Sequence, residues 1–256
     1  MTEELRKKLA ALGLSTGQSG NLTIADRSLT QSDIADILIS FVERGLIFQS
    51  GLTDETAVRR NTGAHICHCY RDKPEMLAMV TAFLAEGLRI GERCVWVLPD
   101  WLDEETARFT FKNMNDAKGL AFIPSSQIYF DASGRMQSAS AIIQRWLDEN
   151  DSARQQGFSG FRVTGDVTPL GFDANWQCGQ EYERLIEQSF RGRHITALCA
   201  YSLEHVDPAR LAVMLAKHSC GFIRRNGAWD EIRAGAGIAT AIEFLHALPS
   251  LNSPTT

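Results

Sequence analysis

Downstream of residue 63 the hydrophobic positions fall into two alternating patterns. Short apolar runs at 64–70, 93–98, 127–130, 160–164, 194–200 and 220–224 have the length and bounding residues of buried strands. Between and after them lie longer amphipathic stretches at 73–88, 103–115, 138–155, 175–190, 208–217 and 229–248, with apolar residues at helical spacing. In the first of these, Asp72 suits an N-cap, Pro74 suits the first turn, and Leu77, Val80, Leu84 and Leu88 share one face. Strand-like runs alternating with helices predict an α/β fold, a mostly parallel sheet flanked by helices.

The N-terminal quarter reads differently. A short helix is expected at 3–12 and a longer one at 30–44, where Ile34, Ile37, Leu38, Phe41 and Val42 form a stripe between a Thr30 cap and a Gly45 stop. The stretch 49–63, rich in Gly, Thr, Asp and Arg, shows no period and reads as a connector. The expected organisation is a small helical appendage at 1–62, a main domain at 63–248 and a loose tail at 249–256.

With 256 residues, 44% of them hydrophobic, the chain can bury a full core. Its formal charge of −5 opposes bulk electrostatic binding of nucleic acid or of anionic membranes. No apolar run reaches the length of a membrane span, and the mixed charges of the first residues do not resemble a secretory signal. The six cysteines, irregularly spaced and mostly within apolar segments, read as reduced thiols. A cytoplasmic location is expected.

Several segments, in order from about residue 63 to 225, carry a resemblance. They are HICHCYRDKPEMLAMVTAFLAEGLRIGERCVWV, YFDASGRM, GFRVTGDVTPL, EYERL, ALCAYSLEHVDPARL and the His218 segment AKHSCGFI. Together they resemble the MEDS domain, the sensory domain of methanogens, methylotrophs and the regulator DcmR. The resemblance implies a RecA- or KaiC-related fold that senses a small molecule or metabolic state and passes it to an output module. The chain departs from the pattern at GFRVTGDVTPL, where Glu would stand in place of Asp166 and an aromatic near Pro169.

An active RecA-like ATPase needs a glycine-rich loop ending in Gly-Lys-Ser/Thr, because backbone N–H groups cradle the phosphates and the Lys neutralises them. The corresponding junction here is Tyr70-Arg71-Asp72-Lys73-Pro74-Glu75, with no glycine, a proline lacking an N–H and two carboxylates. ATP turnover is not expected. Nucleotide binding without turnover stays open as an alternative.

In open α/β sheets ligands sit beyond the carboxyl ends of the strands. That rule selects Tyr70, Arg71, Thr164, Asp166 and Tyr201 as candidate ligand-binding residues, with His65 added as a motif position. Asp166 also stands where RecA-like ATPases carry an acidic Mg²⁺-associated residue, although a turn or capping role fits it equally. No metal is assigned and no cofactor is named.

The run His65-Ile66-Cys67-His68-Cys69 invites a second alternative, a thiol or metal sensor using Cys67 and Cys69. On a strand, His65, Cys67 and Cys69 face one side and His68 the other, with the ends of the run about 13 Å apart. One ion cannot take all three. A site would need an adjacent pair plus ligands from another element, for which Cys94, Cys199 and His218 are candidates. Small buried thiols in a central strand are the plainer reading. Tyr182-Glu183 and Cys199 with Tyr201 likewise have ordinary packing explanations.

The appendage, residues 1–63, carries seven basic and eight acidic residues, and the helix at 30–44 has three acids against one base. That balance suits dimerisation or docking better than DNA binding. The sequence therefore reads as a non-enzymatic ligand-sensing regulator in signal transduction or transcriptional control. Its expected partners are an unidentified small molecule and a protein or second copy of itself.

Overall fold

The structure is a computed structural model. It describes residues 63–112, 118–171, 173–205, 210, 214, 217–225 and 228–232, together with four strands nearer the N-terminus. Three of these, β1 (Ser15–Thr16), β2 (Leu22–Ile24) and β3 (Arg27–Ser28), form a small antiparallel sheet. The fourth, β4 (Ile47–Leu52), belongs to the main sheet.

Six parallel strands make the core of that sheet: β5 (His65–Tyr70), β6 (Arg93–Leu98), β7 (Leu120–Pro124), β8 (Phe161–Asp166), β9 (Ile195–Ser202) and β10 (Cys220–Arg225). Their order in space is β10-β5-β9-β8-β6-β7. β11 (Ala228–Ile232) adds antiparallel to β10, and β4 adds antiparallel to β11. The α/β class expected from the alternating pattern is therefore observed. β5 and β9 are buried along their whole lengths, as central parallel strands covered on both faces must be.

One face is covered by α1 (Lys73–Arg89). Asp72 caps it by accepting from the Glu75 N–H at 2.8 Å, and Pro74 lies in its first turn. Its fully buried stripe is Met76, Met79, Val80, Phe83 and Leu84, and Leu77 and Leu88 are half-buried at its edges. Burying each of these large side chains stabilises the fold by about 2 kcal/mol. Gly87 lets the helix press onto β8, since a Cβ there would lie 2.8 Å from Arg162. Arg162, fully buried, pairs with Glu92 at 2.6 Å and donates to the Phe83 carbonyl at 2.8 Å, tying α1 to the strand beneath.

The opposite face carries α4 (Ala139–Gln155) and α5 (Trp176–Phe190). Two shorter helices, α2 (Glu104–Phe109) and α3 (Ser125–Tyr129), follow β6 and β7. Gly179 is where α5 meets the turn Thr168–Gly171, and a Cβ at Gly179 would stand 2.3 Å from the Leu170 carbonyl oxygen. This contact fixes how deeply α5 settles, and with it the height of Glu183 above the sheet.

Four expectations need correction. The run 127–130 is not a strand. The strand is Leu120–Pro124, and Ile128 and Tyr129 reach the core from helix α3, because a short apolar run buries equally well in either conformation. Residues 228–232, expected to open a helix at 229–248, form β11. Arg225 pairs with Ala228 across an Asn-Gly sequence, the strongest short hairpin signal. The expected connector 49–63 contains most of β4. The helix expected at 103–115 ends at Phe109, and its residues 113–117 lie outside the described residues. Also outside them lie the helices expected at 3–12 and 30–44, the remainder of 229–248, nearly all of 208–217, and the tail. Among the described residues no helix is long and apolar enough to cross a membrane.

Candidate functional site

The alternation of β5 sends Cys67 and Cys69 to the face under α4 and α5, and Ile66 and Tyr70 to the face under α1. His65 follows Cys67 and meets α5, while His68 lies on the α1 side, its ring 5.0 Å from that of Trp229. β9 runs beside β5 with Cys199 opposite Cys67 and Tyr201 opposite Cys69, so their side chains join the α5 face. On α5, Tyr182, Ile186 and Phe190 form the buried stripe, and Glu183 is buried among them, one turn before Glu187. His218 arrives from the segment before β10. That segment is anchored to His65 itself, because the Ser219 N–H and hydroxyl both donate to the His65 carbonyl at 3.0 and 2.6 Å.

These elements converge on one carboxylate. Glu183 Oε2 lies 3.0 Å from His65 Nε2 and 3.2 Å from His218 Nε2, and its other oxygen accepts a hydrogen bond from the Tyr201 hydroxyl. Cys199 Sγ is 3.5 Å from His65 Nε2. The two imidazole rings stack with centroids 3.9 Å apart. Of the outer nitrogens, His218 Nδ1 is hydrogen-bonded to the Met214 carbonyl at 2.8 Å, and His65 Nδ1 has only the ion-pair approach of Glu187 Oε2 at 3.6 Å. All four of His65, Glu183, Cys199 and His218 are buried.

Burial penalises every charge here, yet the groups offset one another unequally. For Glu183, desolvation pushes the carboxyl up, but His218, His65 and the Tyr201 hydrogen bond outweigh it and hold it at about 2. His65 is pushed down by burial and pulled up more strongly by Glu183 and Glu187, ending above the usual imidazole value. His218 falls to about 4, through burial first and the neighbouring His65 second. Burial raises the Cys199 thiol and the Tyr201 hydroxyl. The shifts favour Glu183 with His65 as the ion pair of the cluster and disfavour protonation of His218.

Above the cluster, α5 and Lys217 border an open surface depression of about 550 Å³, lined by Arg184, Glu187, Gln188, Arg191, Lys217 and His218. His218, one of the four buried residues, and Glu187, which faces His65, also line this depression, so it adjoins the cluster.

The residues selected at the carboxyl ends of the strands separate into three places. Tyr70 and Asp166 do meet at the rim, where the Tyr70 hydroxyl donates to Asp166 Oδ2 at 2.9 Å and Asp166 Oδ1 accepts from the Thr168 N–H at 2.9 Å. Arg71, exposed beside them, donates to the Arg224 carbonyl at 2.9 Å. Thr164 is buried within the sheet, its hydroxyl donating to the Leu198 carbonyl. Tyr201 turns inward to Glu183, and His65 stands at the opposite end of β5 from Tyr70. Cys67 and Cys69 lie side by side with sulfurs 3.7 Å apart, outside the four-residue group. Glu183, for which the sequence offers a packing explanation, proves to be the centre of the group, and Glu187 is not singled out by the sequence. The signal was a carboxylate at a stripe position of an amphipathic helix, where burial demands a partner.

Comparison with known proteins gives a consistent family and distant structural neighbours. No curated protein matches. Among solved structures, a KaiC-like protein from the hyperthermophilic archaeon Pyrococcus horikoshii OT3 is similar at 11% identity and a TM-score of 0.43, over 73% of this chain and 85% of that one. The cytoplasmic domain of EssC is similar at 14% identity and a TM-score of 0.37, over 83% of this chain and 47% of that one. The family described as MEDS, the MEthanogen/methylotroph, DcmR Sensory domain, matches residues 64–219, and that description carries a sensing or regulatory role. The match spans more than half of the sequence and includes His65, Glu183, Cys199 and His218, and the chain belongs to the MEDS family.

Proposed function

We propose that this protein is a non-enzymatic, ligand-sensing regulator of signal transduction or transcription in the cytoplasm, and that its sensing centre is the buried group around Glu183. The observation that carries this reading is the convergence of four separate pieces of chain on one carboxylate. β5, β9, α5 and the segment before β10 each contribute a polar group to a fully buried spot, and a species bound there would change the contacts of all four together. Output to a protein partner, or to a second copy of this chain, follows from movement of α5, whose outer face carries exposed Glu181, Arg184 and Arg191.

An absent phosphate cradle supports the non-enzymatic part. Tyr70–Glu75 holds no glycine, and the Arg71 N–H that could face a phosphate is already given to Glu75 Oε2 at 3.0 Å. ATP hydrolysis and native mass, measured on one preparation of the full chain, test the reading. The expected result is a bound species lost from a Glu183→Gln variant, with no turnover. Steady hydrolysis abolished by Asp166→Asn would overturn it and move the centre to the rim.

A further inference from the structure

We infer that His65 Nε2, His218 Nε2, Glu183 Oε2 and Cys199 Sγ are the four ligands of a buried divalent transition-metal site of the zinc class. The inference deepens, and rests on, the reading of this cluster as the sensing centre.

Four observations converge. The first is distance. A tetrahedral ion with bonds of about 2.1 Å to nitrogen or oxygen and about 2.3 Å to sulfur sets its donors about 3.4 to 3.6 Å apart. The separations to the carboxylate and thiol here are 3.0, 3.2 and 3.5 Å, and all four donor atoms lie within 4.8 Å of one another.

The second is satisfaction. Glu183 Oε2 lies within ion-pair reach of His65, but neither it nor His218 Nε2 has an aligned hydrogen bond among the described residues: His218 Nδ1 faces the Met214 carbonyl, which only accepts, so the neutral ring turns an unprotonated Nε2 towards the carboxylate at 3.2 Å. The third is the outer shell. The Met214 carbonyl takes the Nδ1 side of His218 and Tyr201 holds Oε1 of Glu183, so these two ligands are turned with their free atoms inward, while Glu187 Oε2 stands 3.6 Å from His65 Nδ1, within ion-pair distance.

The fourth is charge. Two neutral imidazoles, one carboxylate and one thiolate cancel a divalent cation, so the loaded site is neutral where a net charge would be costly. Mixed nitrogen, sulfur and oxygen donors select zinc-class ions over magnesium or calcium, which take oxygen ligands. On binding, the Cys199 S–H proton and the Nε2 proton of His65 pass to solvent, a sulfur–metal bond forms, and no electron is transferred. The depression lined by Glu187, Lys217 and His218 adjoins the site and is its side of access in this proposal.

Cobalt(II) and zinc(II) alone, added to chelator-stripped full chain under reducing conditions, test the inference. The expected result is one equivalent of cobalt with the visible bands of tetrahedral coordination and a thiolate-to-cobalt charge-transfer band, both displaced by zinc. Cys199→Ser should remove the charge-transfer band and weaken binding 10- to 100-fold. Cys94→Ser, on the opposite face, should leave both unchanged. If His218→Ala fails to fold, Cys199→Ser and Glu183→Gln still decide the matter. No stoichiometric cobalt, or a spectrum indifferent to Cys199→Ser, overturns the metal site. The sensing reading then survives if native mass still shows a species lost in Glu183→Gln. If cobalt binds as described but causes no change in the amide exchange of α5, the metal site stands and the sensing reading fails.

Discussion

Tyr201 donates its hydroxyl to one oxygen of Glu183 and leaves the other oxygen facing both His65 and His218. The strand residue thereby orients the helix residue, and the carboxylate is presented to the two imidazoles in one geometry. Removing the hydroxyl with Tyr201→Phe should cost about 1 to 2 kcal/mol of stability in metal-free protein. Glu183→Leu should cost more, about 3 to 5 kcal/mol, because His65 would keep a buried charge without its principal partner. Denaturant melts of the two variants check the order; equal losses would mean that Tyr201 does not act through Glu183.

Gly179 sets the depth of α5. A methyl group there meets the Leu170 carbonyl at 2.3 Å, and backbone cannot yield as a side-chain tip can. Gly179→Ala should therefore destabilise by about 1 to 3 kcal/mol and lift Glu183 away from the histidines. Melting, with the imidazole resonances of His65 and His218 followed by NMR, reads both effects. A variant as stable as the parent with unmoved resonances would show that the helix is not held by this contact.

The class of the fold was legible because strand-length apolar runs alternate with helical stripes, and β6 was read to the residue. β11 was missed because the apolar residues after Trp229 suggested a helical period, while Asn226-Gly227 gave the competing hairpin signal. At the site, the sequence places His65, Cys67 and Cys69 on one side of β5 and names Cys94, Cys199 and His218 as candidate partners, of which Cys94 lies on the opposite face of the sheet. It did not place Glu183 among them, because strand order and the height of α5 decide which distant residues meet. The sheet order β10-β5-β9 brings His218, His65 and Cys199 together from positions up to 153 apart in the chain.

His68 offers a pH test away from the cluster. It is fully buried on the α1 side between Tyr70 and Trp229, and burial, then the nearby Arg224 charge, lowers its pKa to about 3. The unfolded chain protonates this imidazole near its ordinary value of about 6.5. Between those values the unfolded state binds more protons, so the contribution of His68 is present above pH 6.5 and is lost as pH falls towards 3. A His68→Phe variant should lose less stability than the parent between pH 7 and pH 4, the gap amounting to about 3 kcal/mol. Parallel curves would contradict the depressed value.

The central claim is that the chain senses through the group around Glu183 and not through the rim around Tyr70 and Asp166. Hydrogen exchange of the chelator-stripped full chain, with and without one equivalent of zinc, tests it most directly. Slower exchange is expected in α5, in β9 near Cys199 and in residues 217–219, with unchanged exchange at the Tyr70–Glu75 junction and no difference at all in Glu183→Gln. Protection confined to that junction and to Asp166–Thr168, or no change on adding zinc, would contradict it.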